Sequence, residues 1–376
     1  MKTKKIAIDV RTVSQGGGVA TYIEKLVPQI INRMPDTMFY LFITNDKSRE
    51  ILGEFKNAEY INLPIPKIFL LLYDWVLIPL NCLMKGITFF HGPKSALSPL
   101  YKIFRIKTLV TIHDVIPLTN PETEKFINKI YWNIQIPLAY KLADAVVTDS
   151  NYSKDELVKR FGIRKNIETV YLGIDINNNL NFQSNLSKFQ KIKAKFNIKG
   201  EYILYVGTIQ PRKNILNLIK AFELLNNKDL QLVIAGRKGW LYNDIFEYVK
   251  ERDLGNHIIF TDFISAEEIQ YLYKNAKIST YISITEGFGF PIIEAMSFKI
   301  PVITSNTSCM PEIAGNAAIL VNPRDIMDIS KRMEQLCTNN DLRNELVKKG
   351  IENIKRFSWD KCTENTLEMY HKLLTK

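Results

Sequence analysis

The chain is poor in cysteine, and the few cysteines that it has are far apart. The four positions are Cys82, Cys309, Cys337 and Cys362 in a chain of 376 residues. Their spacing fits neither a disulfide framework nor a zinc-ligand cluster, both of which need closely repeated pairs. We therefore expect reduced thiols in a cytosolic protein and no structural metal.

Long hydrophobic runs are also missing. The most apolar stretch, Ile68–Met84, is interrupted by Asp74, Pro79 and Asn81, and it is shorter than the roughly 20 residues that a membrane-spanning helix needs. The first residues lack the basic-then-apolar pattern of a signal peptide. The sequence therefore predicts a cytoplasmic protein, with a buried or interfacial helix over Ile68–Met84.

Positive charge is abundant and unevenly distributed. The formal net charge of +11 arises entirely within residues 1–200, because the charges of residues 201–376 balance. A basic surface suits anionic lipid, a phosphate-bearing substrate or nucleic acid, or it is simply solvated. No zinc pattern, recognition helix or aromatic RNA-binding motif accompanies the charge, so we do not expect a nucleic-acid partner.

Both halves of the chain alternate short apolar runs with helical stretches, which is typical of α/β proteins with parallel sheets. The predicted strands are Lys5–Asp9, Phe39–Thr44, Thr88–His91, Lys107–His113 and Ala145–Asp149, then Tyr202–Val206, Gln231–Ala235, Ile258–Phe260, Ile278–Ile282, Val302–Thr304 and Ala318–Val321. We therefore expect an α/β fold of two Rossmann-like, doubly wound parallel-sheet domains.

The stretch Asp175–Gly200 is rich in Asn, Lys and Ser, and its composition predicts a linker that runs into a short helix. It divides the chain into a domain over residues 1–174 and another over 175–356. Ligands of open α/β sheets bind at the carboxyl ends of the strands. The expected site is therefore a cleft between the two sheets.

Two candidate site segments lie at predicted strand ends in the first half. Gly16, Gly17 and Gly18 stand between a strand and a helix. There, backbone N–H groups and the helix N-terminus favour a phosphate, although a flexible turn would look the same. His113, in the sequence Thr-Ile-His-Asp, ends another strand, where it either binds a sugar hydroxyl or has a structural role.

Two further segments end strands in the second half. Gly207 is followed by the cations Arg212 and Lys213, which could neutralise a diphosphate leaving group or simply belong to a basic loop. In the sequence Glu286-Gly-Phe-Gly-Phe-Pro-Ile-Ile-Glu294, a glycine-containing loop leads into a helix. Two carboxylates around such a phosphate-binding loop are hard to explain by packing alone, so this segment is the strongest candidate.

At these residues the sequence resembles the retaining glycosyltransferases of family 4, whose hallmark is a Glu, seven intervening residues and a second Glu. The resemblance spans nearly the whole chain and extends to the mannosyltransferase-like branch. Its further motifs are Phe90-His91-Gly92-Pro93, Thr111-Ile112-His113-Asp114, Thr148-Asp149-Ser150, Pro211-Arg212-Lys213-Asn214 and Phe357-Ser358-Trp359. It implies the GT-B fold, with the final helix over residues 357–376 returning to the first domain.

The resemblance also implies roles for the residues of the glutamate motif. Glu294 would bind the ribose of the nucleotide. Glu286 and the amides of Gly287, Phe288 and Gly289 would hold the donor sugar and its phosphate.

Other roles follow from the same resemblance. Arg212 and Lys213 would face the diphosphate, and the Gly16–Gly18 loop would approach from the other domain, while His113 would contact the transferred sugar. Many relatives carry an Arg directly after the glycine at 207, but this chain has Thr208. The details of the diphosphate contacts are therefore open at this stage.

The family resemblance implies a retaining hexosyltransferase without a metal or other cofactor, and no Asp-x-Asp motif occurs in the chain. We expect a nucleotide-sugar donor, with GDP-mannose favoured over a UDP-sugar. The expected acceptor is a lipid-linked glycan of surface polysaccharide synthesis, reached by peripheral contact with an anionic membrane at its inner face. A catalytically inactive nucleotide-sugar-binding protein is the alternative. A nicotinamide-dependent dehydrogenase is disfavoured, since the Gly-x-Gly-x-x-Gly pattern is missing.

Overall fold

The computed structural model describes residues 4–63, 70–123, 126–164, 166–183 and 185–375. These residues form two compact units. Unit 1 contains the described residues up to Gly173 together with those from Ser358 onward, and unit 2 contains Ile174–Phe357.

Unit 1 is built on a parallel sheet of seven strands. In chain order these are β1 Lys4–Asp9, β2 Thr37–Ile43, β3 Ala58–Asn62, β4 Phe89–Gly92, β5 Lys107–Ile112, β6 Ala145–Thr148 and β7 Ile167–Thr169. Their order across the sheet is β3-β2-β1-β4-β5-β6-β7. The central strands are buried on both faces, as their continuous apolar runs predict for a parallel sheet covered by helices.

The helices of unit 1 connect and cover these strands. They are α1 Gly18–Arg33, α2 Lys47–Leu52, α3 Leu70–Leu72, α4 Ile78–Met84, α5 Leu100–Ile103, α6 Ile116–Thr119, α7 Phe126–Leu142 and α8 Asn151–Phe161. A π-helical turn over Tyr73–Leu77 joins α3 to α4. The last helix of the chain, Trp359–Leu374, also belongs to unit 1, where it contacts α1.

Unit 2 repeats the architecture with six parallel strands. They are β8 Glu201–Val206, β9 Leu230–Ala235, β10 Ile258–Phe260, β11 Ile278–Tyr281, β12 Val302–Ser305 and β13 Ala318–Val321, in the order β10-β9-β8-β11-β12-β13. Its helices are α9 Ile176–Leu180, α10 Leu186–Phe196, α11 Ile215–Leu224, α12 Asn243–Glu251, α13 Ala266–Asn275, α14 Phe290–Ser297, α15 Met310–Ala314, α16 Ile326–Thr338 and α17 Asn340–Asn353. The helix over Trp359–Leu374, which belongs to unit 1, is α18.

Each sheet has one switch point, where the strand order changes direction along the sheet. It lies between β1 and β4 in unit 1 and between β8 and β11 in unit 2. The loops that leave the two central strands there diverge to opposite faces of the sheet. The space between them at the carboxyl edge is the usual ligand site of such sheets.

The predicted fold class is confirmed, and every predicted strand is present within one or two residues at its ends. The alternation of apolar runs and helical stretches also predicts a helix over Thr123–Leu142. It is present as α7 from Phe126 onward, and residues 124 and 125 lie outside the described part. Likewise, Ile68 and Phe69 of the predicted apolar helix lie outside it. The sequence did not predict β3 or β7. Over Asp175–Gly200 it predicted a linker that runs into a short helix, and the structure has two helices there, α9 and α10.

Two features are absent from the described residues. No helix there is both long and apolar enough to cross a membrane. The same residues contain no group of three or more His, Cys, Asp and Glu side chains suited to a metal ion.

Candidate active site

The carboxyl edge of the unit 2 sheet brings together the two segments that the sequence singled out in the second half. Strand β8 ends at Val206 and leads to a 3₁₀ turn over Pro211–Lys213. Strand β11 ends at Tyr281 and leads through a loop to α14. Because β8 and β11 are neighbours at the switch point, the two loops meet, and the amide of Ile284 donates to the carbonyl of Arg212 at 2.8 Å.

Glu286 lies between two cations in this edge. Its Oε1 accepts a hydrogen bond from Nζ of Lys213 at 2.6 Å, and its Oε2 pairs with the guanidinium of Arg212. The ammonium of Lys213 also donates to the hydroxyl of Tyr281 at 2.5 Å. Glu286 is 6% exposed and Lys213 is 7% exposed, so the pair is almost fully removed from water.

The charges of this cluster are set by competition between burial and pairing. Burial alone raises the pKa of Glu286, but the charges of Arg212 and Lys213 outweigh burial and hold that pKa at about 2. Burial also disfavours the ammonium of Lys213 and lowers its pKa to about 8, despite the attraction of Glu286. At neutral pH the three side chains therefore carry one net positive charge, which suits an anionic ligand.

The loop after Glu286 ends in a helix N-terminus. Gly289 has φ +98 and stands directly before α14, whose first turn contains Pro291. A left-handed φ favours glycine, and proline is suited to the first helical turn, where its missing N–H is not needed. The first-turn amides and the helix dipole can hold an anion here.

The second glutamate of the motif lies on α14 itself. The carboxylate of Glu294 accepts a hydrogen bond from the hydroxyl of Tyr273, on α13, at 2.9 Å. Burial raises the pKa of Glu294 and outweighs this hydrogen bond, which lowers it. A carboxylate held in this way is a suitable acceptor for sugar hydroxyls. Tyr273 was not predicted from the sequence, because it lies 21 residues away from Glu294 in the chain.

Gly207 has a role in the backbone of the β8–β9 edge. Its amide donates to the carbonyl of Ala235 at 2.9 Å, so this N–H is engaged within unit 2. Gly236 lies beside Gly207. A Cβ built on Gly236 would lie 2.1 Å from the carbonyl oxygen of Gly207. Only glycine fits at position 236.

The glycine loop of unit 1 has the conformation that its sequence predicts. Gly16 and Gly17 have φ values of 73 and 89, and Gly18 begins α1. A Cβ built on Gly16 or Gly17 meets no heavy atom within 4 Å. The glycines are thus required by backbone conformation, with open space beside them at the N-terminus of a 16-residue helix.

His113 follows β5 in unit 1 and makes two hydrogen bonds. Its Nδ1 lies 2.7 Å from Oδ2 of Asp149, and its Nε2 donates to the carbonyl of Pro93 at 3.1 Å. Burial lowers the pKa of His113, but the charge and hydrogen bond of Asp149 outweigh burial and raise it. Because both ring nitrogens face acceptors, the imidazolium paired with an Asp149 carboxylate satisfies this geometry.

A buried ion network that was not predicted from the sequence lies at the carboxyl edge of the unit 1 sheet. The guanidinium of Arg11 pairs with Asp9, at 2.7 Å, and with Asp74 in the π turn. Nζ of Lys94 lies 3.0 Å from Asp74, and the hydroxyl of Tyr131 donates to Asp74 at 2.5 Å. Burial raises the pKa of Asp9, but Arg11 and Lys94 outweigh burial and hold it well below its usual range.

The predicted site residues therefore fall into two groups. Glu286, Arg212 and Lys213 contact one another in unit 2, and the segment Gly287–Gly289 and Glu294 follow on the same loop and helix. The Gly16–Gly18 loop and His113 lie at the carboxyl edge of unit 1.

Family models match both parts of the chain. A model described as Glycosyltransferase Family 4 matches residues 16–178, and one described as Glycosyl transferases group 1 matches residues 187–353. The second match includes all of the residues assigned above to the unit 2 site.

Individual proteins agree with these matches. The chain is 30% identical over 287 residues to the O-antigen chain mannosyltransferase B of Escherichia coli, which covers 75% of this chain and 73% of that protein. It is 27% identical over 314 residues to the serotype-specific mannosyltransferase WbdA of Escherichia coli, of which it covers 36%. It thus matches about a third of that larger protein.

Solved structures share the fold. HepE of Anabaena, crystallised with UDP and glucose, superimposes with a TM-score of 0.76 at 16% identity, over 98% of this chain and 100% of that one. This likeness concerns the GT-B architecture alone. The fold agrees with the family-model matches and with the 30% identical relative, and these show that the chain belongs to glycosyltransferase family 4.

Proposed function

We propose that this glycosyltransferase is a retaining, metal-independent hexosyltransferase that transfers mannose from GDP-mannose to a growing surface polysaccharide. The observation that carries the proposal is the buried Glu286 between Arg212 and Lys213, on the loop that leads to Glu294. The O-antigen mannosyltransferases among its relatives support mannose as the sugar and a glycan as the acceptor. A UDP-sugar donor is the alternative that the experiment below distinguishes.

In the proposed complex, the donor lies along the carboxyl edge of unit 2. Glu294 accepts hydrogen bonds from the ribose hydroxyls, and the N-terminus of α14 with the preceding loop binds the diphosphate. The net positive charge of the Glu286 cluster stabilises the diphosphate as it leaves. Glu286 itself orients the donor sugar.

The proposed reaction breaks the bond between the sugar C1 and the diphosphate oxygen. The acceptor hydroxyl attacks C1 from the same face, and its proton passes to the departing diphosphate. Nucleoside diphosphate leaves, and the new glycosidic bond retains the configuration at C1. Arg212, Lys213 and the helix dipole supply the positive charge that a metal would otherwise provide, which supports metal independence.

The test is nucleotide release from GDP-, UDP-, ADP- and dTDP-sugars, with and without EDTA, for the wild type and for Glu286→Ala. We expect release from GDP-mannose that EDTA does not change and that the variant loses. Nucleotide release from a UDP-sugar and not from GDP-mannose would show that the donor is a UDP-sugar. Release that stops with EDTA would refute metal independence. Binding of nucleotide without turnover, even with a lipid-linked glycan acceptor present, would favour the catalytically inactive alternative.

We further propose that the acceptor is lipid-linked and that the enzyme acts as a peripheral protein at the cytoplasmic face of an anionic membrane. The charge of unit 1 supports this proposal: 26 Lys and Arg stand against 19 Asp and Glu, compared with 24 against 20 in unit 2. Counting to residue 200 had indicated that the excess positive charge is confined to the first half of the chain. Counting by unit shows that unit 2 carries part of it. The lysine-rich α10 belongs to unit 2.

An apolar surface of unit 1 supports the same proposal. On α7, Ile127, Ile130 and Ile134 are 79%, 48% and 52% exposed, at the spacing of one helix face. On α4, Leu80 and Leu83 are also exposed, and the π turn that precedes α4 contacts α7 through the hydrogen bond between Tyr131 and Asp74. Exposed apolar side chains are ordinary when single, but a stripe of them on one helix face supports an interaction surface.

This membrane surface is testable apart from catalysis. We expect Ile130→Asp with Ile134→Asp to lose co-sedimentation with vesicles that contain anionic lipid, while nucleotide release from free donor stays unchanged. Ile163→Asp is the matched control, because Ile163 is 91% exposed in unit 1 outside these helices. Equal vesicle binding by the control and the double variant would refute the surface.

A further inference from the structure

The loop that carries Glu286 and leads to α14 is held by a turn that lies outside the sequence motifs described above. This turn, Thr307–Cys309, joins β12 to α15. The hydroxyl of Ser308 accepts from the amide of Glu286 at 2.9 Å and donates to its carbonyl at 3.0 Å. The thiol of Cys309 lies 3.2 Å from the carbonyl oxygen of Glu286 and 3.1 Å from that of Phe288.

Similar contacts continue along the loop in the N-terminal direction. The hydroxyl of Thr307 donates to the carbonyl of Ile284 at 3.0 Å, and that of Ser305 donates to the carbonyl of Ser283 at 2.6 Å. Side chains of one short segment thus bind the carbonyls of residues 283, 284, 286 and 288. Each of these hydrogen bonds ends on a backbone carbonyl and not on the carboxylate of Glu286.

The direction of these carbonyls determines the direction of the next amides. In a trans peptide unit the C=O and the following N–H lie in one plane and point in opposite directions. Carbonyls of Glu286 and Phe288 that point toward Ser308 and Cys309 therefore direct the amides of Gly287 and Gly289 away from them. Gly289 directly precedes the N-terminus of α14, where the anion is expected.

The thiol is in the form that can donate. Cys309 is fully buried, and burial raises the pKa of its thiol well above its usual value. It therefore stays protonated, and a protonated thiol is a weak hydrogen-bond donor. Since the thiol lies within reach of two carbonyls at once, its removal would leave both peptide units less restrained.

We infer that Ser308 and Cys309 are positioning residues, which hold the Glu286–Gly289 backbone so that its amides face the diphosphate of the donor. The inference rests on the proposed function, because it assumes that this loop binds the diphosphate. Neither side chain touches the reacting atoms. Their effect is expected on phosphate recognition, and not on the binding of base and ribose.

The experiment compares ligands with and without the diphosphate. Affinities for GDP and for guanosine are measured by calorimetry and by competition, for the wild type, Cys309→Ala and Cys309→Ser. We expect Cys309→Ala to weaken GDP binding about tenfold, in line with the loss of one or two weak hydrogen bonds, with guanosine binding unchanged. Cys309→Ser keeps a donor at this position and is expected to restore GDP binding in large part.

Two further variants separate positioning from folding. Cys82→Ala removes an equally buried thiol from unit 1, so it should leave both affinities unchanged. Ser308→Ala tests the second contact independently, and it should also weaken GDP binding selectively, raising the donor KM more than it lowers kcat.

The possible outcomes distinguish the inference from the proposed function. Equal weakening of GDP and guanosine would show a merely structural role and overturn the inference. Unchanged GDP affinity in both Cys309→Ala and Ser308→Ala would overturn it as well. If the wild type binds none of the nucleoside diphosphates of the donor panel, the proposed function fails first, and the inference fails with it.

Discussion

Glu286 keeps a negative charge in a setting that by itself would neutralise it. Its carboxylate is nearly inaccessible to water, and two cations contact it directly. A buried group of this kind is costly when a partner is removed, because the remaining charges lose both water and their counterion. The residue therefore couples the acid stability of unit 2 to the chemistry of its site.

The first prediction concerns acid stability. The pKa of Glu286 falls from 4.5 to about 2 on folding, so its ionised form stabilises the fold above pH 4.5. This contribution is lost as the pH falls from about 4.5 to 2. We expect the difference in free energy of unfolding between the wild type and Glu286→Gln to shrink between pH 7 and pH 3, measured by urea titration. Glu59→Gln, at an exposed pair with Lys85, should differ little from the wild type at either pH.

The second prediction concerns the alkaline limb of activity. Burial lowers the pKa of Lys213 to about 8, so the ammonium loses its proton as the pH rises through that value. Without this charge the cluster becomes neutral and stabilises the departing diphosphate less well. We expect kcat for donor turnover to fall above about pH 8 in the wild type. In Lys213→Arg, which stays charged, this limb should move to higher pH. An unchanged profile would refute the role of the ammonium.

At the scale of elements, one buried carboxylate links the α3–α4 segment to other parts of unit 1. Asp74 lies in the π turn between the two helices and contacts Arg11, Lys94 and Tyr131. A π turn shifts the helical register, and this shift is compatible with a buried Asp in a helix whose other face carries exposed leucines. The network fixes the helix that displays part of the proposed membrane surface.

The third prediction tests this connection. Asp74→Asn keeps the shape of the side chain but leaves Arg11 and Lys94 with one carboxylate between them. Removing one partner of a buried ion pair typically costs about 3 kcal/mol or more, and we expect a loss of that size in the free energy of unfolding, measured by urea titration. Asp360→Asn is the control, because its pair with Arg33 is exposed and should contribute less than about 1 kcal/mol.

Element by element, the sequence predicted the interior better than the edges. Strands such as β5 are buried on both faces and appear as continuous apolar runs. The strands that it missed, β3 and β7, lie at the two edges of the unit 1 sheet, and their residues are largely half-exposed. An edge strand has one neighbour and needs less apolar surface, so its composition resembles a loop.

The candidate site shows the same division between local and distant information. The spacing of Glu286 and Glu294, and the glycines beside them, can be read from one segment. Ser308 and Cys309 could not be predicted, because their hydrogen bonds to the loop join residues more than twenty positions apart. Contacts of that kind depend on which strands become neighbours in the sheet.

At the scale of the whole molecule, one unit is nested within the other along the chain. Unit 2 is inserted between Gly173 and Ser358, and α18 completes unit 1. The hydroxyl of Tyr370 on α18 contacts Nδ1 of His91 at 2.8 Å, inside unit 1. Within unit 1, the two points that flank the insertion lie side by side, since a Cβ on Gly173 would lie 2.2 Å from the backbone nitrogen of Trp359.

The fourth prediction follows from this nesting. Deleting residues 358–376 should destabilise unit 1, because α18 buries Trp359, Cys362 and Tyr370 in that unit. Unit 2 should be affected much less. Hydrogen exchange is expected to show lost protection in β1 and β4 and retained protection in β8 and β11. Equal loss in both units would contradict this account.

The insertion also sets the order in which the units can mature on the ribosome. The chain is made from its N-terminus at roughly 5–20 residues per second, so every residue of unit 2 emerges before the helix that closes unit 1. Until α18 emerges, the first 173 residues lack this helix, and both the α18-binding face of α1 and the tip of β4 are exposed. Unit 1 therefore begins before unit 2 along the chain and is completed after it, and its α18-binding surface stays exposed until α18 emerges.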